Sequence, residues 1–487
     1  MNIKKQLRRV TASFLAAAML AVSFGSVTAD AFNFTPVKVE KDENDNYIKL
    51  ELRSESVYML NMDTGEVLID IDSTKQRVPA SLTKIMTAIV LLDEFGGDES
   101  KLKSTKYSAG TEAFDDIYGT GASTADIYPD EEVTCYDLLA ALMIPSACEA
   151  ANIIAFGMCG SVDAFADKMN AKAAELGMTD SHFSNAHGLS GDNNYTTCQD
   201  LAKACTYAIE TYPVFKDIVC MNDYTMSATS VHPDGTYIYN TNYMLNPDSA
   251  YFYSYCRGIK TGTLDLAGRC LASYSVNDGS RYLIISMGAP LNKLDEDYQK
   301  GYDNPGSVYA YDTVYYNLVD HINLYQWAYS YVSSRQIVNK NSEVGEAKIE
   351  YGENGRDYVT LKPEEDFSIE LPVYVEDKEI ERSIEIFDNV IAPVKKGDKL
   401  GEITISYENE EVAKIPLIAT DTVERSKPAE RIAVAKSFKH STQFKAALFT
   451  VIMFTVIFVT AHIVKMQRRY MKRMQRPAPE QTRRRGE

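Results

Sequence analysis

Apolar and polar residues follow two different periods along this chain. Alternation with a period of two around Asp63-Thr64-Gly65-Glu66 predicts a β-hairpin over residues 54–71. Helical spacing dominates from residue 81 to about 212 and includes predicted helices at 162–176 and 199–209. Strands are predicted at 237–239, 258–261, 268–276 and 282–287, followed by a helix over about 309–332. Strands at both ends with helices between them predict one sheet backed by helices and carrying a helical insertion.

Both ends of the chain carry apolar segments with basic neighbours. Residues 1–31 combine four basic residues, an apolar run and small residues, which predicts a cleaved signal peptide. Residues 446–464 contain no Asp, Glu, Lys or Arg, and these 19 residues approach the roughly 20 needed to span a bilayer. The basic residues that follow predict that the tail, 465–487, is cytoplasmic. We therefore expect a single-pass protein of the cell membrane with an extracytoplasmic main body.

Residues 337–423 differ from the rest in pattern. Short alternating runs such as 384–387 and 403–407 lie between glycine and asparagine turns, which is typical of a small all-β domain. No catalytic constellation is visible in it, and we expect it to be a stalk that holds the preceding domain away from the membrane. A polar linker, 424–445, is predicted between this domain and the apolar segment.

Charge and cysteine usage restrict the partners. The formal net charge is −18, although both termini are basic, so the body between them is strongly acidic and argues against nucleic-acid binding. The six histidines form no ligand pair with the cysteines at metal-site spacing, so we expect no metal and no cofactor. Sequence selects no disulfide pairing and leaves the oligomeric state open. The eight cysteines are Cys135, Cys148, Cys159, Cys198, Cys205, Cys220, Cys256 and Cys270.

One predicted helix begins with residues suited to nucleophilic catalysis. In Pro79-Ala80-Ser81-Leu82-Thr83-Lys84 the proline and Ser81 mark a helix start. Residues three apart are neighbours on a helix, so the Lys84 amine can approach the Ser81 hydroxyl and act as its base. The helix N-terminus offers partial positive charge to a developing oxyanion. Alone, this spacing is equally typical of a solvated surface helix.

Two further segments change that interpretation. Ser146 follows Pro145 between two apolar helical runs, and Arg257-Gly258-Ile259-Lys260-Thr261-Gly262-Thr263 precedes Ala267-Gly268-Arg269. In this order the three segments resemble the Ser-x-x-Lys, Ser-x-Asn and Lys-Thr-Gly set of the serine D-alanyl-D-alanine carboxypeptidases, the low-molecular-weight penicillin-binding proteins. The resemblance extends to residues 183–189, 240–245 and 392–397, and so covers both predicted extracytoplasmic domains.

The resemblance implies an α+β fold. A DD-peptidase and β-lactamase-like catalytic domain over 45–335, with an antiparallel sheet, flanking helices and a helical subdomain, would precede the all-β domain and the transmembrane helix. Lys260, Thr261 and Gly262 would lie at the sheet edge, and Ser81 would begin the central helix. The implied activity removes the terminal D-alanine from peptidoglycan stem peptides ending in D-Ala-D-Ala, and β-lactam antibiotics would be inhibitors.

The resemblance also implies residue roles. Ser81 would form an acyl-enzyme after losing its proton to Lys84, whose pKa would be lowered by Lys260 and by partial burial. The catalytic residues would be Ser81, Lys84 and Ser146, and the substrate-binding residues Lys260, Thr261, Gly262, Thr263, Arg257 and Cys148. His187 belongs to a segment like that of the family, and we interpret it as structural.

Cys148 departs from the family pattern, which has asparagine at this position. A thiol cannot reproduce the paired hydrogen bonding of a carboxamide. Three alternatives follow: reduced activity, a tolerated variant whose role another group takes, or a catalytically silent relative that binds the cell wall. Asn152, one helical turn further on, is a candidate for compensation. A β-lactamase is a further alternative, although no Glu-x-x-Leu-Asn segment lies between the second and third motifs.

Overall fold

The N-terminal part of the fold is a set of short antiparallel strands. A computed structural model describes residues 33–189 and 193–474, so the predicted signal peptide and the end of the basic tail lie outside the described residues. Strands β1 (Val37–Lys41) and β2 (Tyr47–Lys49) pair with each other. Strands β3 (Ser56–Asn61) and β4 (Val67–Ile71) form the predicted hairpin, which is confirmed.

Helices dominate the next part, as predicted. Serine or threonine precedes three of them, and in each case the hydroxyl accepts a hydrogen bond from a first-turn amide, which satisfies a free donor of the helix end. Short strands β5 (Lys106–Tyr107) and β6 (Val133–Thr134) pair beside these helices. The helices are α1 (Thr83–Phe95), α2 (Glu99–Ser104), α3 (Cys135–Met143), α4 (Cys148–Cys159), α5 (Val162–Glu175), α6 (Cys198–Thr211) and α7 (Pro213–Val219).

The central helix, α1, is buried along most of its length. Its first ten residues, 83–92, are all buried, and the apolar ones pack in the core shared with neighbouring helices and the sheet. A 3₁₀ turn, Ala80–Leu82, leads into α1 and carries Ser81. Ser81, the predicted helix start, therefore lies in the turn that enters the helix, two residues before α1 begins.

A five-stranded antiparallel sheet forms the other layer. Strands β7 (Asp223–Thr225) and β8 (Tyr237–Tyr239) pair separately, and β9 (Cys256–Leu264), β10 (Gly268–Asn277) and β11 (Ser280–Ala289) join the hairpin in the order β4-β3-β11-β10-β9. Strand β9 is thus an edge strand, as expected for the Lys-Thr-Gly segment. Helix α8 (Asp295–Asp303) was not predicted, and α9 (Tyr316–Tyr331) begins later than the predicted residue 309.

The C-terminal region is built of strands, as predicted. The strands are β12 (Val332–Val338), β13 (Gly345–Glu350), β14 (Tyr358–Pro363), β15 (Phe367–Pro372), β16 (Ile380–Ile386), β17 (Val390–Ile391), β18 (Lys399–Tyr407) and β19 (Glu410–Ala419). Six of them form one sheet in the order β16-β18-β19-β14-β13-β17, and β12 pairs with β15. By contacts the chain divides into two units: described residues up to Ile337 with Phe367–Arg382 and Ile405–Lys414, and Val338–Asp366, Ser383–Thr404 and the described residues from Ile415 onward.

Two helices end the described chain. The predicted polar linker is largely helical, because α10 (Lys427–His440) occupies most of it. Helix α11 (Thr442–Met474) contains the predicted apolar segment, and its stretch Thr442–Lys472 is long and apolar enough to cross a membrane. The domain boundaries drawn from the sequence stay predictions.

Candidate active site

The Ser81 hydroxyl lies at the junction of the helical layer and the sheet. The 3₁₀ turn that carries it is in contact with the edge strand β9. A Cβ added to Gly262 would lie 3.1 Å from the carbonyl oxygen of Pro79 and 3.3 Å from the amide nitrogen of Ser81. The missing side chain at this position therefore allows the strand and the serine turn to approach closely.

The Lys84 amine is buried completely and contacts three separate segments. Its Nζ lies 3.1 Å from Ser81 Oγ, 3.3 Å from Cys148 Sγ and 2.5 Å from the main-chain oxygen of His187. Burial is the largest cause that lowers the pKa of Lys84, and Cys148 opposes it. Among the described residues no carboxylate forms an ion pair with Lys84, and its amine lies within hydrogen-bond reach of the Ser81 hydroxyl.

Lys260 projects from β9 into the same region. It is 1% exposed, its Nζ donates to the carbonyl oxygen of Thr261 at 3.1 Å, and burial together with the nearby Lys84 holds its pKa well below the usual 10.5. The lowered pKa expected for Lys84 is therefore present, with complete rather than partial burial as its largest cause, and the two buried lysines lie close enough for their charges to repel. The Thr261 hydroxyl lies 2.6 Å from the hydroxyl of Thr241.

Ser146 and Cys148 form the third side of the group. Ser146 has a φ of 69°, a costly conformation for a residue with a side chain, and such conformations cluster at active sites. Its Oγ is buried and has no hydrogen-bond partner among the described residues. The main-chain oxygen of Ser146 lies 3.9 Å from Cys148 Sγ, which places Ser146 next to the residue that contacts Lys84.

A polar network fixes the main-chain oxygen that Lys84 contacts. His187 Nδ1 accepts a hydrogen bond from the Leu189 amide at 3.0 Å, so Nε2 carries the proton and donates to Asp116 Oδ2 at 2.8 Å. Asp116 Oδ1 accepts from Asn152 Nδ2 at 2.9 Å. Burial lowers the pKa of His187, and its hydrogen bond lowers the pKa of Asp116. The neutral imidazole thus links the segment after α5 to the connection between β5 and β6.

Comparison with known sequences identifies the family. Residues 40–291, just over half of the chain, match the D-alanyl-D-alanine carboxypeptidase family, and residues 333–425 match the C-terminal domain of penicillin-binding protein 5. The chain belongs to the D-alanyl-D-alanine carboxypeptidase family.

Two relatives and one solved structure show how far this carboxypeptidase likeness extends. The chain is 25% identical over 394 residues to DacF of Bacillus subtilis, covering 81% of this chain and 92% of the relative. It is 24% identical to DacD of Escherichia coli, covering 77% and 87%. The crystal structure of DacD from Francisella tularensis matches with a TM-score of 0.59 and 23% identity over 77% of this chain and 95% of that one, which supports the fold.

Two residues of this carboxypeptidase family member form hydrogen bonds away from the Lys84 amine. Arg257 Nη1 donates to the main-chain oxygens of Ser254 and Cys256, both at 2.8 Å, so its guanidinium serves its own turn. The Asn152 amide donates to Ala113 and Asp116, so it does not replace the missing carboxamide at Lys84.

Sequence reasoning missed two contributors to the carboxypeptidase site. Asp116 stands in no recognisable motif, and nothing in the sequence indicates its pairing with a histidine 71 residues away. His187 was interpreted as structural, although its main-chain oxygen is the nearest acceptor to the Lys84 amine. All eight cysteines, which lie in the described part of the chain, are free thiols.

Proposed function

We propose that this D-alanyl-D-alanine carboxypeptidase uses Ser81 as its nucleophile and Lys84 as the general base. Neutral Lys84 takes the Ser81 proton while Ser81 Oγ bonds to the carbonyl carbon of the penultimate D-alanine. The C–N bond to the terminal D-alanine then breaks, and a proton passed through Ser146 neutralises the departing amine. Water hydrolyses the resulting ester and restores the free serine.

The observation that carries this proposal is the Lys84 geometry. A buried amine with a lowered pKa lies 3.1 Å from the hydroxyl it would activate. General-base catalysis needs this hydrogen-bond reach first and a pKa near the working pH second, and burial shifts the pKa of Lys84 in that direction.

The remaining residues suit binding of the substrate terminus. The main-chain amides of Ser81 and Thr263 are our candidates for the oxyanion hole, since fixed donors stabilise the charge that develops on the attacked carbonyl oxygen. Lys260 and Thr261 would hold the terminal carboxylate, and Gly262 gives the strand access to the serine turn. Arg257 is left out of this group because its guanidinium is engaged with main-chain oxygens.

The same serine would be acylated by β-lactams, because their ring amide presents a carbonyl to Ser81 as the peptide does. The adduct is an ester at Ser81 Oγ, formed as the ring C–N bond opens. Benzylpenicillin is therefore a direct probe of the nucleophile.

The test uses the full chain in detergent. Intact mass after incubation with benzylpenicillin is measured alongside D-alanine release from a peptide ending in D-Ala-D-Ala. We expect both signals in the natural protein and in Ser100→Ala, an exposed serine of α2, and neither in Ser81→Ala. Persistent labelling of Ser81→Ala would overturn the assignment of the nucleophile.

We further propose that α11 spans the cell membrane with the catalytic domain outside and the basic tail in the cytoplasm. Support comes from the apolar stretch Thr442–Lys472 and from the basic residues at its C-terminal end. Protease added to intact cells should remove the catalytic domain and leave a C-terminal epitope tag protected. Digestion of the tag in intact cells would refute this orientation.

A further inference from the structure

A cavity of about 460 Å³ lies between the connection from β5 to β6 and the start of α4. Its volume is within the usual range for small-molecule sites. Apolar side chains form part of its wall, and carboxylates lie among them. The apolar residues include Phe114, Ile117 and Ile127, and the acidic ones are Asp115, Asp126 and Glu149.

Glu149 is the buried member of this wall. The residue is 2% exposed, and its Oε1 accepts hydrogen bonds from the amides of Ala125 at 2.6 Å and Ile127 at 3.5 Å. Its Oε2 has no hydrogen-bond partner among the described residues. Burial raises the pKa of Glu149, and the amide hydrogen bonds together with the charge of Lys84 offset this effect only in part.

A buried carboxylate oxygen without a partner is costly unless a ligand supplies the missing donor. The wall of the cavity specifies the kind of donor. Apolar side chains favour an aliphatic stem, and three carboxylates favour a positive charge at its end. An alkylammonium group satisfies both requirements, whereas a carboxylate or phosphate would meet only like charge.

The cavity adjoins the catalytic group. Glu149 directly follows Cys148, whose Sγ lies 3.3 Å from Lys84 Nζ and whose amide donates to the Ser123 oxygen at 2.9 Å. An extended peptide advances about 3.3–3.6 Å per residue. The residue immediately before D-alanyl-D-alanine therefore lies one such step from the carbonyl that Ser81 attacks, and a side chain of several carbons extends further.

We propose that this cavity binds the aliphatic amine side chain of the residue preceding D-Ala-D-Ala, with Glu149 as its buried counter-ion. The assignment rests on the proposed function, and it makes the cavity a specificity site for stem peptides that carry a free side-chain amine.

The test compares two peptides with each enzyme. Both end in D-Ala-D-Ala, and the preceding residue is lysine in one and Nε-acetyl-lysine in the other. The ratio of kcat/KM for the two peptides is informative because a uniform loss of activity cancels in it. We expect the natural protein to favour the free amine at least tenfold and Glu149→Gln to lower that ratio below about threefold.

Asp126→Asn provides a second variant, because this exposed residue has a φ of 58° that asparagine tolerates. It should lower the ratio at least twofold. The matched control is Asp130→Asn, at a φ of 62° and outside the cavity wall, which should leave the ratio unchanged.

A ratio near one in the natural protein would overturn this assignment alone. A tenfold preference that survives in both variants would also overturn it, because recognition would then lie elsewhere. Release from neither peptide, with no penicillin adduct, would instead overturn the proposed function and this assignment with it.

Discussion

Gly188 allows the segment that contacts Lys84 to lie against the serine turn. Its φ is 80°, and an added Cβ would lie 1.9 Å from the carbonyl oxygen of Ala80. The neighbours of these two residues are His187, whose oxygen accepts from Lys84, and Ser81. Gly188→Ala therefore tests how strictly the two segments must be placed.

The expected loss has two parts, one of folding stability and one of acylation rate. A residue with a side chain loses about 1–2 kcal/mol of folding free energy when its backbone adopts the left-handed conformation, whatever its surroundings. Relieving the overlap needs a shift of roughly 1 Å, since real Cβ contacts below 3.0 Å are essentially absent. A misplacement of this size can cost about 100-fold in rate, equivalent to about 2.7 kcal/mol.

The assay separates these two parts with a matched control. Gly177 has a φ of 70°, and an added Cβ there would meet nothing within 4 Å. We expect Gly177→Ala to lose stability in thermal unfolding while its acylation rate with benzylpenicillin is unchanged. Gly188→Ala should lose stability and about 100-fold in acylation rate. A folded Gly188→Ala that is acylated at the natural rate would refute this reasoning.

Three further substitutions test the surroundings of the site. Cys148→Asn should change kcat/KM less than about threefold, because Lys84 already has other acceptors, while overpacking costs about 1–3 kcal/mol of unfolding free energy. A gain above tenfold would show that the thiol impairs the natural protein. Asp116→Asn leaves one acceptor oxygen for two donors, His187 Nε2 and Asn152 Nδ2, and should lower kcat about tenfold with little change in KM; equal kcat values would contradict its positioning role. His321 is fully buried, and its pKa is lowered to about 3. Below pH 6.5 the unfolded chain therefore binds one more proton at this residue than the folded chain does. His321 thus lowers the free energy of unfolding by about 1.4 kcal/mol for each unit by which the pH falls. His321→Gln should reduce that slope in denaturant titrations at pH 4–6.5, and an unchanged slope would exclude His321 as its source.

Local pattern was sufficient for most of the fold. The hairpin and the helices α5 and α6 lie within about two residues of their predicted positions, because their periodicity and caps are encoded nearby. Helix α8 was missed because its only buried residues are Asp297 and Gly301, so no apolar face signals it. Helix α10 was interpreted as a linker for the same reason, since its exposed residues form a helix without an apolar face.

In the candidate site, too, contacts between residues close in sequence could be predicted and contacts between distant residues could not. Ser81 and Lys84 are three residues apart, so their contact follows from helix geometry. The acceptor from His187 is 103 residues from Lys84 and belongs to the main chain, so no side-chain pattern indicates it. Arg257 and Asn152 were assigned by residue type, and only their hydrogen bonds show which way each side chain is turned.

Three threonines of α11 affect how the anchor behaves in the bilayer we propose for it. Thr450, Thr455 and Thr460 each donate a hydrogen bond to the main-chain oxygen four residues earlier, at 2.8, 2.8 and 2.7 Å. The hydroxyls are thereby satisfied within the helix, and their five-residue spacing distributes them around it. Association of helices in lipid is driven by small or polar residues on a shared face. In the described part of α11 the three hydroxyls therefore turn to their own helix and form no polar stripe along one face.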